Sequence, residues 1–407
     1  MIQLCLKESC TGCGACMQSC NHGAITMRYD SEGFLLPIID KAKCVDCGLC
    51  QKHCPELNPI ERLDYEKQKY YALIYDQDRK ISSSGGAFSV FAKWIISQGG
   101  IVYGATINEK FEVRHIGVES TGELNKLRGS KYVQSIIGDT YKDIRNHLRS
   151  NRKVLFVGTG CQVGGLYSFL NGKRYEGLLY TLDLVCHGTP SYGAFKSYLS
   201  KLEKNISPNG EVGAIRDFRF RKLDSWSIVS SVKFTKSDWR MLNLSENAFM
   251  DAFFKGITFR ECCFNCQYCN TKRIGTFTIA DFWDIGRHGL PFKRNVSSGV
   301  SLVIDNTGLM PSIIDELRGM VYIEERPKEE AICEQVNLKN PMKRLAVRDS
   351  AVLDMIDPNF SLKEYAKKYQ LPYKATMKWR IQKIVKDVIY AFGLYSVYKT
   401  IIYKFGK

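Results

Sequence analysis

Two periods of apolar and polar residues run through most of the chain. Tyr70 to Tyr75 is a short apolar run between charged flanks, the mark of a buried strand. After Ser82-Ser83-Ser84-Gly85-Gly86, apolar residues fall at Phe88, Phe91, Ala92 and Ile95, which predicts a helix with one buried face. Gly99-Gly100 end it, and Ile101 to Thr106 reads as the next strand. The unit then recurs. Val154-Leu155-Phe156-Val157 predicts a buried strand, and Gly158-Thr159-Gly160-Cys161 turns into a helix carrying Gly164 and Gly165. Leu178 to Val185 predicts a third strand, followed by Cys186-His187-Gly188-Thr189-Pro190 and another helix. Strand–loop–helix repeated in this way predicts an α/β domain with its chemistry in the loops after the strands. Ile215 to Arg221 and Ile228 to Phe234 read as antiparallel strands, so the sheet is expected to be mixed.

At 407 residues the chain is long enough for two or three domains, and 44% hydrophobic residues suffice for real cores. The polar stretch Pro55 to Lys69 reads as a linker. The expected division is a head at 1–60, the two parts of the α/β domain at 66–150 and 151–330, and a helical tail at 331–407. The net charge of +16 is uneven. From Ser361 onward there are eleven Lys and Arg, only Glu364 and Asp387 as acids, and ten aromatic residues. That composition suits either an anionic membrane surface or a solvated helix packed on its own protein. No nucleic-acid motif accompanies the charge, so nucleic acid is not an expected partner. Ile384 to Tyr403 is the most apolar stretch, but Lys386, Asp387 and Lys399 exclude it as a membrane span.

Cysteine usage sets the chemistry. Nine of the sixteen cysteines lie within the first 54 residues, with no signal peptide ahead of Cys5, which argues for thiolates in a reducing cytoplasm. Cys10, Cys13, Cys16 and Cys20 form a C-x2-C-x2-C-x3-C run, and Cys44, Cys47, Cys50 and Cys54 repeat it, with Pro55 following. Three thiolates of such a loop reach three irons of one 4Fe–4S cube, and the fourth cysteine ligates the other cube. One cluster is therefore expected on Cys10, Cys13, Cys16 and Cys54, the other on Cys44, Cys47, Cys50 and Cys20. Zinc also takes four thiolates, but paired runs with crossed fourth ligands favour iron–sulfur clusters. Gly12, Gly14 and Gly48 keep the loops small, and Cys5 falls outside the pattern as a packing residue. Cys262, Cys263, Cys266 and Cys269 make a later group, with Arg260 ahead of it. It reads as a radical S-adenosylmethionine signature too close to the C-terminus for a barrel, as a zinc knuckle, or as part of a further iron–sulfur site.

Taken together, several blocks resemble the coenzyme F-420 hydrogenase/dehydrogenase beta-subunit family with an N-terminal two-cluster ferredoxin domain. They are Ser83-Ser84-Gly85-Gly86, Gly129-Ser130-Lys131-Tyr132-Val133-Gln134-Ser135, Val154 to Val163, Asp183-Leu184-Val185-Cys186-His187-Gly188, Arg260 with Cys263 and Cys266, Ala280-Asp281-Phe282-Trp283, and Gly299-Val300-Ser301-Leu302-Val303. The sequence departs from the family's pattern at Gly160, Thr276 and Asp284, and Gly160 is expected to loosen its loop.

The resemblance implies an α+β ferredoxin-like head on an α/β domain that holds a flavin, usually FAD. On this reading the FAD pyrophosphate lies at Ser83, Ser84, Gly85 and Gly86, and Lys131 steadies negative charge on the reduced ring. A third 4Fe–4S cluster falls to Cys161, Cys186, Cys263 and Cys266, with Cys262 and Cys269 as substitutes. His187 is placed as a proton or hydrogen-bond donor. The implied activity is a flavin-dependent iron–sulfur oxidoreductase, served by a ferredoxin or a deazaflavin as redox partner. Relatives with this head are associated with polysaccharide biosynthesis, which adds a glycan precursor as a substrate class. A non-catalytic electron-transfer subunit and a membrane-surface adaptor are the alternatives. The implied place is the cytoplasm, including the inner face of the membrane.

Overall fold

The structure, a computed structural model, describes residues 2–372 except 64, 225, 287–289 and 318, together with the isolated positions 388 and 394. The head comprises α1 (Ala15–Ser19), a hairpin of β1 (Ile25–Tyr29) and β2 (Leu35–Ile39), and α2 (Leu49–Lys52). Each cysteine loop enters its short helix through a left-handed glycine, Gly14 and Gly48, both at φ 75°. Any other L-residue there costs about 1–2 kcal/mol.

The body begins with β3 (Lys69–Ile74), α3 (Asp76–Arg79), α4 (Ala87–Ser97), β4 (Ile101–Ile107), β5 (Val113–Val118) and α5 (Thr140–Arg149). Next come β6 (Val154–Thr159), α6 (Gly160–Phe169), β7 (Leu179–Leu184) and α7 (Tyr192–Ile206). Then follow β8 (Ile215–Arg219), β9 (Ser231–Phe234), β10 (Arg240–Met241), α8 (Ala248–Lys255), β11 (Phe277–Asp281) and β12 (Ser301–Asp305). The described chain closes with α9 (Met310–Glu316), β13 (Tyr322–Arg326), α10 (Lys328–Cys333), α11 (Arg348–Ile356) and α12 (Leu362–Lys368).

Eight strands form one mixed sheet in the order β13-β3-β12-β11-β7-β6-β4-β5. Strands β4, β6, β7 and β11 are mutually parallel, while β5, β12 and β13 run against their neighbours. Central β6 is a continuous buried run, as a strand covered on both faces requires, whereas edge strand β5 alternates buried and exposed. The expectation that residues 215–234 extend this sheet is corrected. Strands β8 and β9 pair antiparallel, but with β10 in a separate three-stranded sheet over α7 and α8. The mixed character comes instead from β5, β12 and β13.

Helices cover both faces. Helix α4 packs Val90, Phe91, Trp94 and Ile95 on one face, while α5 and α6 cover the other. Cys13 and Ala15 of the head belong to that second core, so the head is seated on the body. Arg260 fixes the seat, donating to Cys10 O (2.5 Å), Leu35 O (2.8 Å) and Gln134 Oε1 (2.9 Å). Arg348 adds Phe259 O and Glu32 Oε1, each at 2.8 Å, and His53 Nδ1 lies 2.6 Å from Ser168 O.

Of the basic, aromatic tail, Ser361 to Pro372 is described. Ser361 and Glu364 form a capping box at the start of α12, and Leu362, Tyr365 and Tyr369 are buried against the core of α7, α8 and α11. These two tyrosines are packing residues. Beyond Pro372 the tail falls outside the described residues, positions 388 and 394 apart. Among the described residues no helix is long and apolar enough to cross a membrane.

Candidate iron–sulfur and cofactor sites

Two hollows in the head sort its cysteines. One is lined by Cys10, Cys13, Cys16 and Cys54, and the other by Cys20, Cys44, Cys47 and Cys50. These are the crossed sets, each hollow taking three thiols from one loop and the fourth from the other. The first lies inward against the body, while the second opens outward, with Cys47 exposed and Val45 58% exposed beside it.

Cys5 does more than pack. It lines the inner hollow, and its thiol hydrogen-bonds both Cys10 and Cys54. That contact, with help from the Arg260 charge, brings the Cys10 thiol down to about 6 against its own burial. The same contact lowers Cys54 to about 7. Burial holds Cys13 and Cys16 up, Cys13 at about 12. Such thiols ionise readily only beside a cation, and cluster iron supplies one.

A second group of thiols gathers at the C-terminal ends of β6 and β7. Cys161 opens α6, Cys186 follows β7, and Cys263 and Cys266 come from the turn after α8. All four lie within electrostatic reach of one another, and burial raises both Cys161 and Cys186, Cys186 to about 12. Cys262 hydrogen-bonds Cys263, and Cys269 hydrogen-bonds Cys266, so the two substitutes stand beside the set. A buried ion pair holds the loop. Arg273 reaches Asp183 Oδ1 at 2.9 Å and also donates to Tyr268 O (2.5 Å) and Leu184 O (3.1 Å), while Asp183 Oδ2 accepts from the backbone of Ile274 and Gly275. The pair ties the Cys266–Cys269 turn to β7, the strand before Cys186.

Gly160 does not loosen its loop. A Cβ there would stand 2.8 Å from the Cβ of Tyr268, and one on Gly164 would collide with the Tyr268 hydroxyl. Both glycines make room for Tyr268, whose other contacts include the Arg62 guanidinium, 4.4 Å from its ring centre.

The Ser83–Gly86 loop and Lys131 meet across a hydrogen bond from Ser130 N to Ser83 Oγ at 3.0 Å. Gly86 is left-handed at φ 95° and caps α4, an eleven-residue helix. Gly85 is required by the fold itself, because a Cβ there would strike Leu73 O and Ser301 N. Ser84 donates its hydroxyl proton to Val300 O. Lys131 donates to Leu127 O and Arg128 O, each at 2.8 Å, which leaves one N–H of its three without a partner among the described residues. Burial lowers Lys131 to about 7. Close by, His115 is buried and neutral, bridging Ser135 Oγ (2.7 Å) and Val157 O (2.9 Å), its pKa lowered by burial to about 4.

His187 belongs elsewhere. Its Nδ1 lies 3.0 Å from Asn337 Oδ1, and its ring packs among Phe253, Phe254 and Phe259. Its Nε2 lies 3.5 Å from Phe254 O, so one ring nitrogen faces Asn337 and the other faces α8.

Residues 9–57 match the 4Fe-4S dicluster domain, and residues 151–331 match the family described as the C terminus of the coenzyme F420 hydrogenase/dehydrogenase beta subunit. Behind a dicluster head, the chain thus carries a region similar to the C terminus of the F420 hydrogenase/dehydrogenase beta subunit. The beta-subunit match begins just before β6 and takes in Cys161, Cys186, Cys263 and Cys266. Among solved structures the chain is similar to a chain of the F420-reducing NiFe hydrogenase complex from Methanosarcina barkeri, determined as a xenon derivative. Identity is 15%, the alignment covers 79% of this chain and 96% of that one, and the TM-score is 0.42, so no detail is transferred from it. No curated protein matches the chain. The beta-subunit relationship and the dicluster head make this an iron–sulfur protein of oxidoreductase type, concerned with electron transfer.

Proposed function

We propose that this beta-subunit relative is an iron–sulfur flavoprotein oxidoreductase. It holds two 4Fe–4S clusters in the head, a third on Cys161, Cys186, Cys263 and Cys266, and FAD beside the Ser83–Gly86 loop and Lys131. The observation that carries the reading is the convergence of four half-buried thiols from three separated segments. Four thiols brought together in this way are the ligand set that a 4Fe–4S cube takes. FAD, when bound, would supply hydride exchange with a small molecule and single-electron exchange with the clusters.

The chain's own residues have distinct tasks. The N-terminus of α4 and the Lys131 ammonium offer positive charge to a pyrophosphate or to an anionic ring. His115 stays neutral and holds Ser135 against the end of β6. Arg273 and Asp183 fix the loop that brings Cys266 to Cys186. The family description names coenzyme F420, so a deazaflavin hydride carrier is the substrate class proposed first, with a glycan precursor of polysaccharide biosynthesis second.

Protein purified without oxygen and extracted with acid should release FAD, and reduced coenzyme F420 should bleach its flavin and cluster absorption. Release of no flavin under gentle handling would remove the flavoprotein reading. It would leave an electron-transfer subunit, a role favoured by the exposure of Cys47 and Val45 at the outer hollow.

A further inference from the structure

The two head sites are not equivalent toward the body. Cys161 and Gly165 lie four residues apart on α6, so they share one face of the helix, with their Cβ positions about 5–6 Å apart. A Cβ on Gly165 would stand 2.9 Å from Cys13 Cβ and 3.1 Å from its Sγ. Cys13, a thiol of the inner hollow, therefore sits on the helix one turn from Cys161, a thiol of the third site. Tyr268 packs the same helix at Gly160 and Gly164, and its chain neighbours are the third-site thiol Cys266, two residues back, and Cys269. Both Tyr268 and Tyr141 lie within electrostatic reach of Cys13 and of Cys161. The glycines are what allow this: three within six residues strip one side of α6 to backbone, so that Tyr268 and Cys13 can both press against it.

We propose that this turn of α6, with Tyr268 laid along it, is the electron crossing between the inner head site and the third site. The outer site, open at Cys47, is then the port for an external one-electron carrier. The inference rests on the proposed third cluster and adds the order outer, inner, third, together with the residues that join the last two. An electron crossing toward the body oxidises the Cys10, Cys13, Cys16, Cys54 site by one electron and reduces the Cys161, Cys186, Cys263, Cys266 site by one. No atom or proton moves, and Tyr268 is unchanged at the end.

The test uses full-length protein purified without oxygen, with iron counted per chain. Photoreduced ferredoxin serves as donor, because a protein carrier must dock at an exposed site. Reduction of the third site is followed by freeze-quench paramagnetic resonance in wild type, Tyr268→Phe and Tyr268→Leu. Tyr268→Phe keeps the ring and should match wild type. Tyr268→Leu should slow the third site several-fold, while iron content and the magnetic coupling between the inner and third sites stay unchanged. A merely structural role would move those two readouts as well. A wild-type rate in Tyr268→Leu with full iron would overturn the crossing. Should Tyr268→Leu lose iron, the wild type still decides: the third site must couple more strongly to the inner than to the outer site, and the reverse order overturns the inference. About eight irons in the wild type, in place of about twelve, would remove the third cluster itself and is a separate failure.

Discussion

The Arg273–Asp183 pair offers a sharp test of how the second thiol group is held together. Both side chains are buried, at 3% and 0% exposure, and the carboxylate accepts two guanidinium contacts and two backbone N–H groups. Asp183→Ala leaves the guanidinium buried without its counter-charge, which costs about 3–5 kcal/mol. Arg273→Ala strands the carboxylate and also frees the Tyr268 and Leu184 carbonyls, so its cost is of the same order. The double variant removes both charges, and it should cost less than the sum of the singles by about 1–3 kcal/mol. Urea unfolding without oxygen, followed by tryptophan fluorescence, gives all three values. Because the pair joins the Cys266–Cys269 turn to the strand before Cys186, the single variants should also lose about four irons per chain and keep about eight. Singles costing under about 1 kcal/mol, or strictly additive changes, would refute the reasoning, since only a solvated or uncoupled pair behaves so.

Three further outcomes follow from other parts of the molecule. Gly165→Ala forces a methyl against Cys13 and Tyr141 and should destabilise by about 1–3 kcal/mol, with a changed resonance signal from the inner cluster; an unchanged signal and unchanged stability would contradict that seat. His115 has a folded pKa near 4 against 6.5 when exposed, so the unfolded chain takes up the extra proton. Its contribution is full above about pH 6.5 and is lost as the pH falls toward 4, about 3 kcal/mol in all, and this slope should be missing from denaturation profiles of His115→Gln. Lys131 is charged below about pH 7, so FAD affinity measured by fluorescence quenching should weaken as the pH rises through 7, and Lys131→Met should bind weakly at every pH.

Metal-ligand spacing is local, so the head could be read from the chain alone. Two loops of matching cysteines fix which thiols share a cube, and the structure lays them around two hollows in the crossed arrangement. Strands β3, β4, β6 and β7 and helices α4 and α6 were legible for a similar reason, since each buries a continuous or periodic apolar face. The destination of β8 and β9 was not legible, because alternation reports a buried face without naming the sheet that covers it. Nor were the partners of the α6 glycines. Tyr268 and Cys13 arrive from more than a hundred residues away on either side, and nothing within Gly160 to Gly165 announces them. His187 sits in a suggestive block, yet its surroundings are set by Phe253, Phe254 and Phe259 of a later helix and turn. Cys5 lies outside both runs, and only the fold brings it to the inner hollow.

Iron, acid-labile sulfide and zinc counted per chain on protein kept free of oxygen test the central claim most directly. The account predicts about twelve irons with matching sulfide and no zinc, falling to about eight in Cys263→Ser/Cys266→Ser. Colourless protein carrying zinc, or a wild type and double variant with equal iron, would contradict it.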